Sequence, residues 1–304
     1  MKSPAQMHFP QIRIDKSQKW LFNPVLKKRF KNRPEERVRL SWLEYLLHQT
    51  DVKKSRIGIE NPVKSQHATN DLRADLIIHG PAMNPEILIE CKAENVAITM
   101  GTAAQAARYN QSVGAKYIVL TNGVDDLWFE CSNGETKAVP SQFHQTTIAP
   151  LERDAEYWFQ RGFLKKSAGK KLADSSVHLL NSFWDDGFSG RKRYLAFQGE
   201  FEGIPLSHYY KIIDFGDGSR LAVTLLAGEH TGPYLFAVMN EKGVSSGMIS
   251  ADLEKALSNR NPSVTMVKDG KTSMLDADLS TLSLSEVEAG YIKNMPQSLR
   301  NFFD

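Results

Sequence analysis

Two short apolar runs, separated by turn residues, constrain this chain more than any other feature. The first spans residues 73–79 and the second residues 86–92, with glycine, proline and asparagine between them. Both are rich in aliphatic residues and too short for a helix, so the pattern predicts two strands. Side chains alternate along a strand, which puts Glu90 and Lys92 on one face, about 6.7 Å apart. Hairpin-like pairing of the two strands would bring Asp75 beside Glu90.

Two carboxylates and an ammonium group at the edge of an apolar sheet need compensation, because buried charge is costly unless it is paired or holds a metal. One interpretation is structural, with Lys92 ion-paired to Glu90 or Asp75. The other is a divalent-metal site, since Mg²⁺ prefers oxygen ligands and a bound metal lowers the pKa of its water. Lys92 would then orient that water or stabilise developing charge. The motif alone leaves both interpretations open.

The segment after Lys92 has the pattern of a helix followed by two more strands. The helix is predicted over about 99–112 and ends at Gly114. Gln105 and Tyr109 are four positions apart and therefore share one helical face. Residues 116–123 and 127–131 read as buried strands. The predicted order from the first helix to residue 131 is helix, three strands, helix and two strands, which indicates an α/β core.

These motifs, in this order, resemble the PD-(D/E)xK nuclease superfamily. More narrowly, they resemble the N-terminal nuclease domain of the type I restriction enzyme R subunit and its small stand-alone relatives. The resemblance covers about residues 8–140 and lacks the proline of the superfamily's name, since Ala74 precedes Asp75. The phrases that carry it are Arg33-Pro-Glu-Glu-Arg-Val-Arg39, Arg73-Ala-Asp-Leu76, Ile89-Glu-Cys-Lys-Ala93, Gln105-Ala-Ala-Arg-Tyr-Asn110 and Leu120-Thr-Asn-Gly123.

The resemblance implies an α/β restriction-endonuclease-like core (α-β-β-β-α-β) with metal-dependent deoxyribonuclease activity. It implies that Mg²⁺ (or Mn²⁺) is bound by Asp75, Glu90 and the backbone carbonyl of Cys91. Lys92 would position or activate the attacking water. Gln105 and Tyr109 would orient the loop or a DNA phosphate, because both are neutral donors.

The family also places an acidic residue of the first helix beside the metal. That helix is predicted from near Asn32 to about Gln49, with proline in its first turn. Glu36 continues the apolar stripe of this helix and is the first choice, through a second metal or a water; Glu35 is the alternative. Both acids would also stabilise the helix N-terminus without any role in a site.

Charge is distributed unevenly along the chain. Residues 1–56 hold 14 Lys/Arg and 5 Asp/Glu, a local charge of +9 within a chain whose net charge is +3. The densest cluster lies in an irregular lead-in over residues 8–33, expected to form an arm or hairpin packed on the first domain. Such a cluster is either a solvated surface or a contact for DNA phosphates. The residues expected to bind nucleic acid are Lys27, Lys28, Arg29, Lys31 and Arg33.

The composition and the distribution of apolar residues argue against a membrane-spanning or a secreted protein. Hydrophobic residues make up 41% and charged residues 24%, which is typical of a globular protein. No apolar run approaches 18 residues and the N-terminus lacks the pattern of a signal peptide, so a cytoplasmic location is expected. Cys91 and Cys131 fall on predicted core strands and are expected to be buried thiols rather than a disulfide or metal pair.

The second half of the chain changes character. We predict a nuclease-like domain at 1–150 and a second domain at 151–304, with a helical linker over about 151–170. Four strands are predicted between residues 193 and 240, and helices near 250–259 and 289–302, which favours a mostly antiparallel β-sandwich or jelly-roll-like domain. This domain would select the substrate or form a homodimer. The basic run at 191–193 is either a binding surface or a solvated strand edge.

These observations favour a metal-dependent DNA nuclease linked to restriction or DNA repair. Two alternatives stay open: a non-catalytic nuclease-fold module that binds DNA or a protein partner, and an unrelated α/β domain with a surface ion pair. The pattern Asp75, Glu90 and Lys92 is complete, which favours the first. No Walker A motif occurs, so a restriction-type motor is not expected.

Overall fold

A computed structural model places the chain in two compact units, residues 1–152 and 153–304. We call them the N-terminal and the C-terminal unit. Within the described ranges, no helix has both the length and the apolar composition needed to cross a membrane. The structure describes residues 1–15, 18–63, 72–132, 134–143, 151–185, 190–198, 206–228, 230–257, 263–268, 271–276 and 289–304.

The N-terminal unit begins with a small antiparallel sheet, where the sequence predicts an irregular lead-in. Its strands are β1 (Gln11–Asp15), β2 (Gln18–Asn23) and β3 (Lys28–Lys31), paired in that order. The segment is therefore regular and not irregular, but the expected hairpin packed on the first domain is confirmed, since Ile12 and Leu21 lie in the core of this unit. The side chain of Asn23 accepts hydrogen bonds from the amides of Val25 and Leu26, which stabilises the turn between β2 and β3.

The main sheet of this unit has six strands and two helices packed against it. The chain forms α1, three antiparallel strands, α2, a strand parallel to the third, and two further antiparallel strands. The α/β core and the order α-β-β-β-α-β are as expected. The elements are α1 (Pro34–Gln49), β4 (Ile57–Val63), β5 (Leu72–His79), β6 (Pro85–Cys91), α2 (Met100–Val113), β7 (Tyr117–Thr121), β8 (Asp126–Ser132) and β9 (Glu135–Val139).

Local chemistry explains the two helices. Helix α1 has proline in its first turn and buries a broad apolar stripe, including Trp42, Leu43 and Leu46, against the main sheet. Helix α2 begins after Thr99, whose side chain accepts from the Thr102 amide and caps the helix. Its small residues approach the sheet closely: alanines 103 and 106 pack against residues 118, 120 and 129. The small alanine side chains allow this close approach.

In its described ranges, the C-terminal unit is built on one seven-stranded antiparallel sheet. Its strands pair strictly in sequence order, so it is a meander and not the predicted sandwich or jelly-roll, which needs two packed sheets. Residues 215–218 and 242–243 form short turns, which favour pairing of the strands that they join. The strands are β10 (Arg191–Ala196), β11 (Ser207–Asp214), β12 (Ser219–Leu226), β13 (Tyr234–Glu241), β14 (Val244–Asp252), β15 (Ser263–Lys268) and β16 (Lys271–Asp276).

Among the described residues, four helices accompany this sheet. Two of them, at 170–183 and 253–257, differ from expectation. The segment predicted as a helical linker holds α3, and α4 begins at its end. Near residue 250 the chain continues β14 before a short α5, because residues 248–251 pair with the next strand. The predicted terminal helix is present. The helices are α3 (Ala155–Gln160), α4 (Lys170–Phe183), α5 (Leu253–Leu257) and α6 (Ala289–Arg300).

Candidate active site

Strand pairing brings Asp75, Glu90 and Lys92 together at one end of the main sheet. Leu76 of β5 lies opposite Ile89 of β6, and this register sets Asp75 beside Glu90. The amide of Cys91 donates to Asp75 Oδ2 at 2.8 Å. Lys92 Nζ donates to Glu90 Oε1 at 2.9 Å, and both side chains are about one quarter exposed. The three side chains form a partly buried acidic cluster with one ammonium group.

The backbone around this cluster is held by the parallel pair β6 and β7. Cys91 lies opposite Thr121, and the Lys92 amide donates to the Thr121 carbonyl at 2.7 Å. The Cys91 thiol points away from the cluster into the apolar core on the other face, as the strand period predicts. Lys92 is therefore fixed by a backbone bond one residue beyond the end of β6.

The surroundings of Asp75 disfavour ionisation of its carboxyl group. Burial and the neighbouring Glu90 charge raise the pKa of Asp75 to about 7, although the Cys91 amide, Arg39 and Lys92 act in the opposite direction. A carboxyl group with this pKa carries only part of its negative charge at neutral pH. An added cation at this place would favour the ionised form of Asp75.

Lys92 and Tyr109 both keep their protons at neutral pH. Burial alone would lower the pKa of Lys92, but the hydrogen bond and the charge of Glu90 outweigh it and raise the pKa. Burial, followed by the charges of Glu90 and Asp75, raises the pKa of Tyr109. The Tyr109 hydroxyl is buried and has no hydrogen-bond partner in the described part of the chain. It is a neutral donor available to a ligand beside the acidic cluster.

Arg39 of α1 joins this site, which the sequence analysis did not predict. Its guanidinium donates to the carboxylates of Glu36, Glu60 and Asp75, with Nη2 3.0 Å from Glu60 Oε1 and Nη1 3.4 Å from Asp75 Oδ1. The Arg39 side chain is only 8% exposed and lies over the ring of Phe30. A buried arginine therefore bridges the first helix, β4 and β5.

Glu60 reaches Arg39 from an unusual backbone conformation. Its φ of 51° lies in the left-handed region, which costs a non-glycine residue about 1–2 kcal/mol. The ladder between β4 and β5 is interrupted there: Ile59 pairs with Leu76 and Asn61 with Ala74, but Glu60 and Asp75 are skipped. This strained position lies directly beside Asp75. No sequence pattern indicated it, since a lone glutamate in a strand is unremarkable.

The two candidate acids of the first helix have different neighbours. Glu36 is buried and bound by Arg39, and it makes no direct contact with Glu90 or Lys92. Glu35 is exposed, and its charge contributes to the raised pKa of Lys92. Glu36 thus reaches the acidic cluster only through Arg39.

The remaining predicted residues lie on elements around the cluster. Gln105 is on α2, four positions before Tyr109; its side chain is outside the described part of the structure. The basic residues lie on the exposed strand β3, in the turn before it and next to the start of α1. Arg29 is ion-paired with Asp15 at 2.7 Å. All five basic residues expected to bind nucleic acid are exposed: Lys27, Lys28, Arg29, Lys31 and Arg33.

The described side chains alone do not supply a full set of ligands for a metal ion. Among the described residues, no group of three His, Cys, Asp or Glu side chains has the geometry to hold a metal ion. The carboxyl oxygens that converge at the end of β5 and β6 come from Asp75 and Glu90. A cation here would therefore take its other ligands from the backbone, water or substrate.

Comparison with known families adds one finding. Residues 34–142 match the family model described as the type I restriction enzyme R protein N terminus. The matched stretch holds every member of the site, from Glu35 to Tyr109, and covers about a third of the chain. This confirms the resemblance to that N-terminal region. None of the curated proteins matches the chain.

Proposed function

We propose that the N-terminal unit is a metal-dependent nuclease of the PD-(D/E)xK type that hydrolyses DNA phosphodiester bonds, in restriction or DNA repair. The observation that carries the proposal is the juxtaposition of Asp75, Glu90 and Lys92, with Lys92 ion-paired to Glu90 at 2.9 Å just beyond the end of β6. The match of residues 34–142 to a restriction-enzyme N-terminal region supports the same function.

The residues present fit a divalent cation such as Mg²⁺ or Mn²⁺. Together Asp75, Glu90, Glu36 and Glu60 carry four carboxylates, against the two positive charges of Arg39 and Lys92. Full ionisation leaves a net charge of minus two, which one divalent cation balances. Mg²⁺ is commonly bound by one or two carboxylates together with waters and substrate phosphates. Asp75, Glu90 and the Cys91 carbonyl would hold it.

When bound, the metal would lower the pKa of its water and neutralise phosphate charge. The chain's own groups have distinct roles. Lys92, whose pKa the hydrogen bond and charge of Glu90 raise, would donate a hydrogen bond that orients the water or stabilises charge on the phosphate. Tyr109 offers its unpartnered hydroxyl to a phosphate oxygen. The Cys91 amide and Arg39 hold the two oxygens of Asp75 in place.

One observation favours a second candidate, a non-catalytic module that binds DNA or a protein partner. Arg39 already places a positive charge on Asp75, so part of the demand for a cation is met inside the protein. In this alternative the acidic cluster is a structural ion network. It predicts that the protein binds DNA but does not cleave it, whichever divalent metal is added.

The test is cleavage of linear, nicked and supercoiled DNA by the full chain, with Mg²⁺ or Mn²⁺ and then with a chelator. We expect cleavage that the chelator abolishes. Lys92→Ala and Glu90→Gln should each lower the rate by about 100-fold or more, as expected for loss of one charge-stabilising group. Glu86→Gln is the matched control, because Glu86 is an exposed acid on the same strand.

The outcomes separate the two candidates. Cleavage that is equally fast in the Lys92→Ala protein would overturn the proposed mechanism. A parent protein that binds DNA but cuts none of the three forms with either metal would favour the non-catalytic module. Circular dichroism of each variant establishes that a lost rate is not lost folding.

A further inference from the structure

The C-terminal sheet carries a groove that the proposed nuclease function does not use. Cross-strand pairing aligns Arg191, Ile212, Ala222 and Val238 in one row across four strands. Paired residues share a face of a sheet, so this row is continuous on one side. The groove along it has a volume of about 490 Å³, which lies in the range of ligand sites.

Its floor is apolar and its walls are partly aromatic. Ala222 and Val238 are buried, and Ile212 is half-buried. Leu195 and Phe197 lie along one side, and the Phe197 ring packs edge-on against Tyr210 at 5.1 Å between centroids. A flat apolar surface of this kind suits a planar ring laid on the floor.

The rim of the groove is cationic. Arg191, Arg193 and Arg220 all line it, and the acidic residue among the lining residues is Asp214. Arg220 Nε donates to Asp214 Oδ2 at 3.0 Å, and the Arg191 charge also favours ionised Asp214. Three guanidinium groups and one carboxylate leave a net charge of plus two. Arg191 and Arg220 are exposed and can reach an incoming anion.

Strand alternation explains why the basic run 191–193 contributes arginines and not its lysine. Lys192 points to the opposite face, where its ammonium lies over the Tyr209 ring at 5.2 Å. Both arginines flank it on the groove side. The planar fork of arginine binds phosphate oxygens in pairs, which a lysine does not.

An apolar floor beside an arginine rim matches a base joined to a phosphate. The base faces of a duplex are stacked and hidden, whereas those of a single strand are available for aromatic stacking. We propose that this groove binds single-stranded DNA, with a base against Phe197 and the apolar floor and its phosphates on Arg191, Arg193 and Arg220. This site is separate from the acidic cluster and does not depend on catalysis there.

The experiment measures binding of fluorescent dT12 to the full chain by anisotropy, in chelator and at several salt concentrations. The chelator removes any cleavage, so failure here and failure of the nuclease proposal are distinguishable. Arg191→Gln/Arg193→Gln should weaken binding about tenfold or more and reduce the salt slope by about 1.4, at about 0.7 per phosphate. Phe197→Leu keeps apolar bulk but removes the ring, and should weaken binding about fivefold or more with an unchanged slope.

A matched control removes two charges elsewhere in the same unit. Lys166→Gln/Lys170→Gln replaces two exposed lysines that do not line the groove. Binding of a 12-base-pair duplex should be insensitive to Phe197→Leu. The proposal is overturned if the parent fails to bind dT12, if Phe197→Leu binds dT12 like the parent, or if the lysine control loses as much as the arginine variant.

Discussion

The guanidinium of Arg39 on α1 donates to Glu60 Oε1 on β4 at 3.0 Å. This bond joins a buried helix residue to a strand residue whose backbone is held at a φ of 51°. The same guanidinium contacts Glu36 and Asp75. The strained backbone of Glu60 therefore lies where its side chain supports the acidic cluster through Arg39. Backbone strain is common at functional sites.

We predict that Arg39→Met lowers the free energy of unfolding by about 3–5 kcal/mol, because Glu36 and its neighbours are left as uncompensated buried charge. Glu36→Gln/Arg39→Met removes charge from both partners and should be less destabilised than the single variant. Urea unfolding measures both. Arg29→Gln breaks an exposed ion pair and should cost less than about 1 kcal/mol. A double variant less stable than Arg39→Met would contradict this account.

A second prediction concerns Asp126, which is fully buried at the start of β8. Burial raises its pKa to about 6, and the hydroxyls of Thr121 and Ser3 offset this only in part. The folded protein therefore binds more protons than the unfolded chain between pH 4 and 6. The stabilisation that this acid contributes is present below pH 4 and is lost as the pH rises through 6.

Asp126→Asn should remove this dependence. Relative to the parent, the variant should gain up to about 3 kcal/mol of stability as the pH increases from 4 to 7, at 1.36 kcal/mol for each pKa unit. Urea unfolding of both proteins at each pH provides the difference. Asp125→Asn is the control, since Asp125 is exposed next to it. A stability difference that stays constant over this range would exclude a raised pKa at Asp126.

A third prediction assigns Asn110 a structural role. Its side chain donates to the Ala115 carbonyl at 2.7 Å and accepts from the Ala115 amide at 3.0 Å, which bridges the end of α2 to the start of β7. Asn110→Ala leaves both buried backbone groups unpaired and should cost about 2–4 kcal/mol. Gln111→Ala, at an exposed neighbour, should change stability little. Equal effects of both substitutions in thermal unfolding would contradict this role.

A fourth prediction concerns DNA backbone contacts of β3. Lys28 and Lys31 are exposed, whereas Arg29 is already paired with Asp15. Lys28→Gln/Lys31→Gln should weaken duplex binding for all sequences and reduce the salt slope by about 1.8, at about 0.9 per phosphate contact. Lys53→Gln/Lys137→Gln is the control with the same charge loss. An unchanged slope in the β3 variant would place the duplex contacts elsewhere.

Local pattern was sufficient to predict the elements that carry the site. The strands of Asp75 and Glu90 follow from short aliphatic runs, and the bounds of α2 follow from the Thr99 cap and from Gly114, whose φ is 73°. The pairing of β5 with β6 follows from the short turn between them. These features depend on neighbours in sequence, which a single sequence displays directly.

Larger-scale arrangement was not predictable in the same way. The strands of the first 31 residues and the single meander of the second half depend on which strands pair and on what covers them. A sandwich and a meander use the same alternating pattern, so the sequence predicted antiparallel strands but the wrong number of sheets. Helix α4 lies where a linker was expected to end, although its sequence carries apolar residues at helical spacing, including Leu172, Leu179 and Phe183.

The sequence by itself determined the α/β order of the N-terminal unit, the shared face of Glu90 and Lys92, and the placement of Tyr109 four positions after Gln105. Only the tertiary structure decided that Arg39 binds Glu36, Glu60 and Asp75, since these residues come from one helix and two strands. It likewise decided that arginines 191 and 193 meet Arg220 around one groove. Periodicity reports which face a side chain occupies, whereas contacts between distant segments depend on how elements pack.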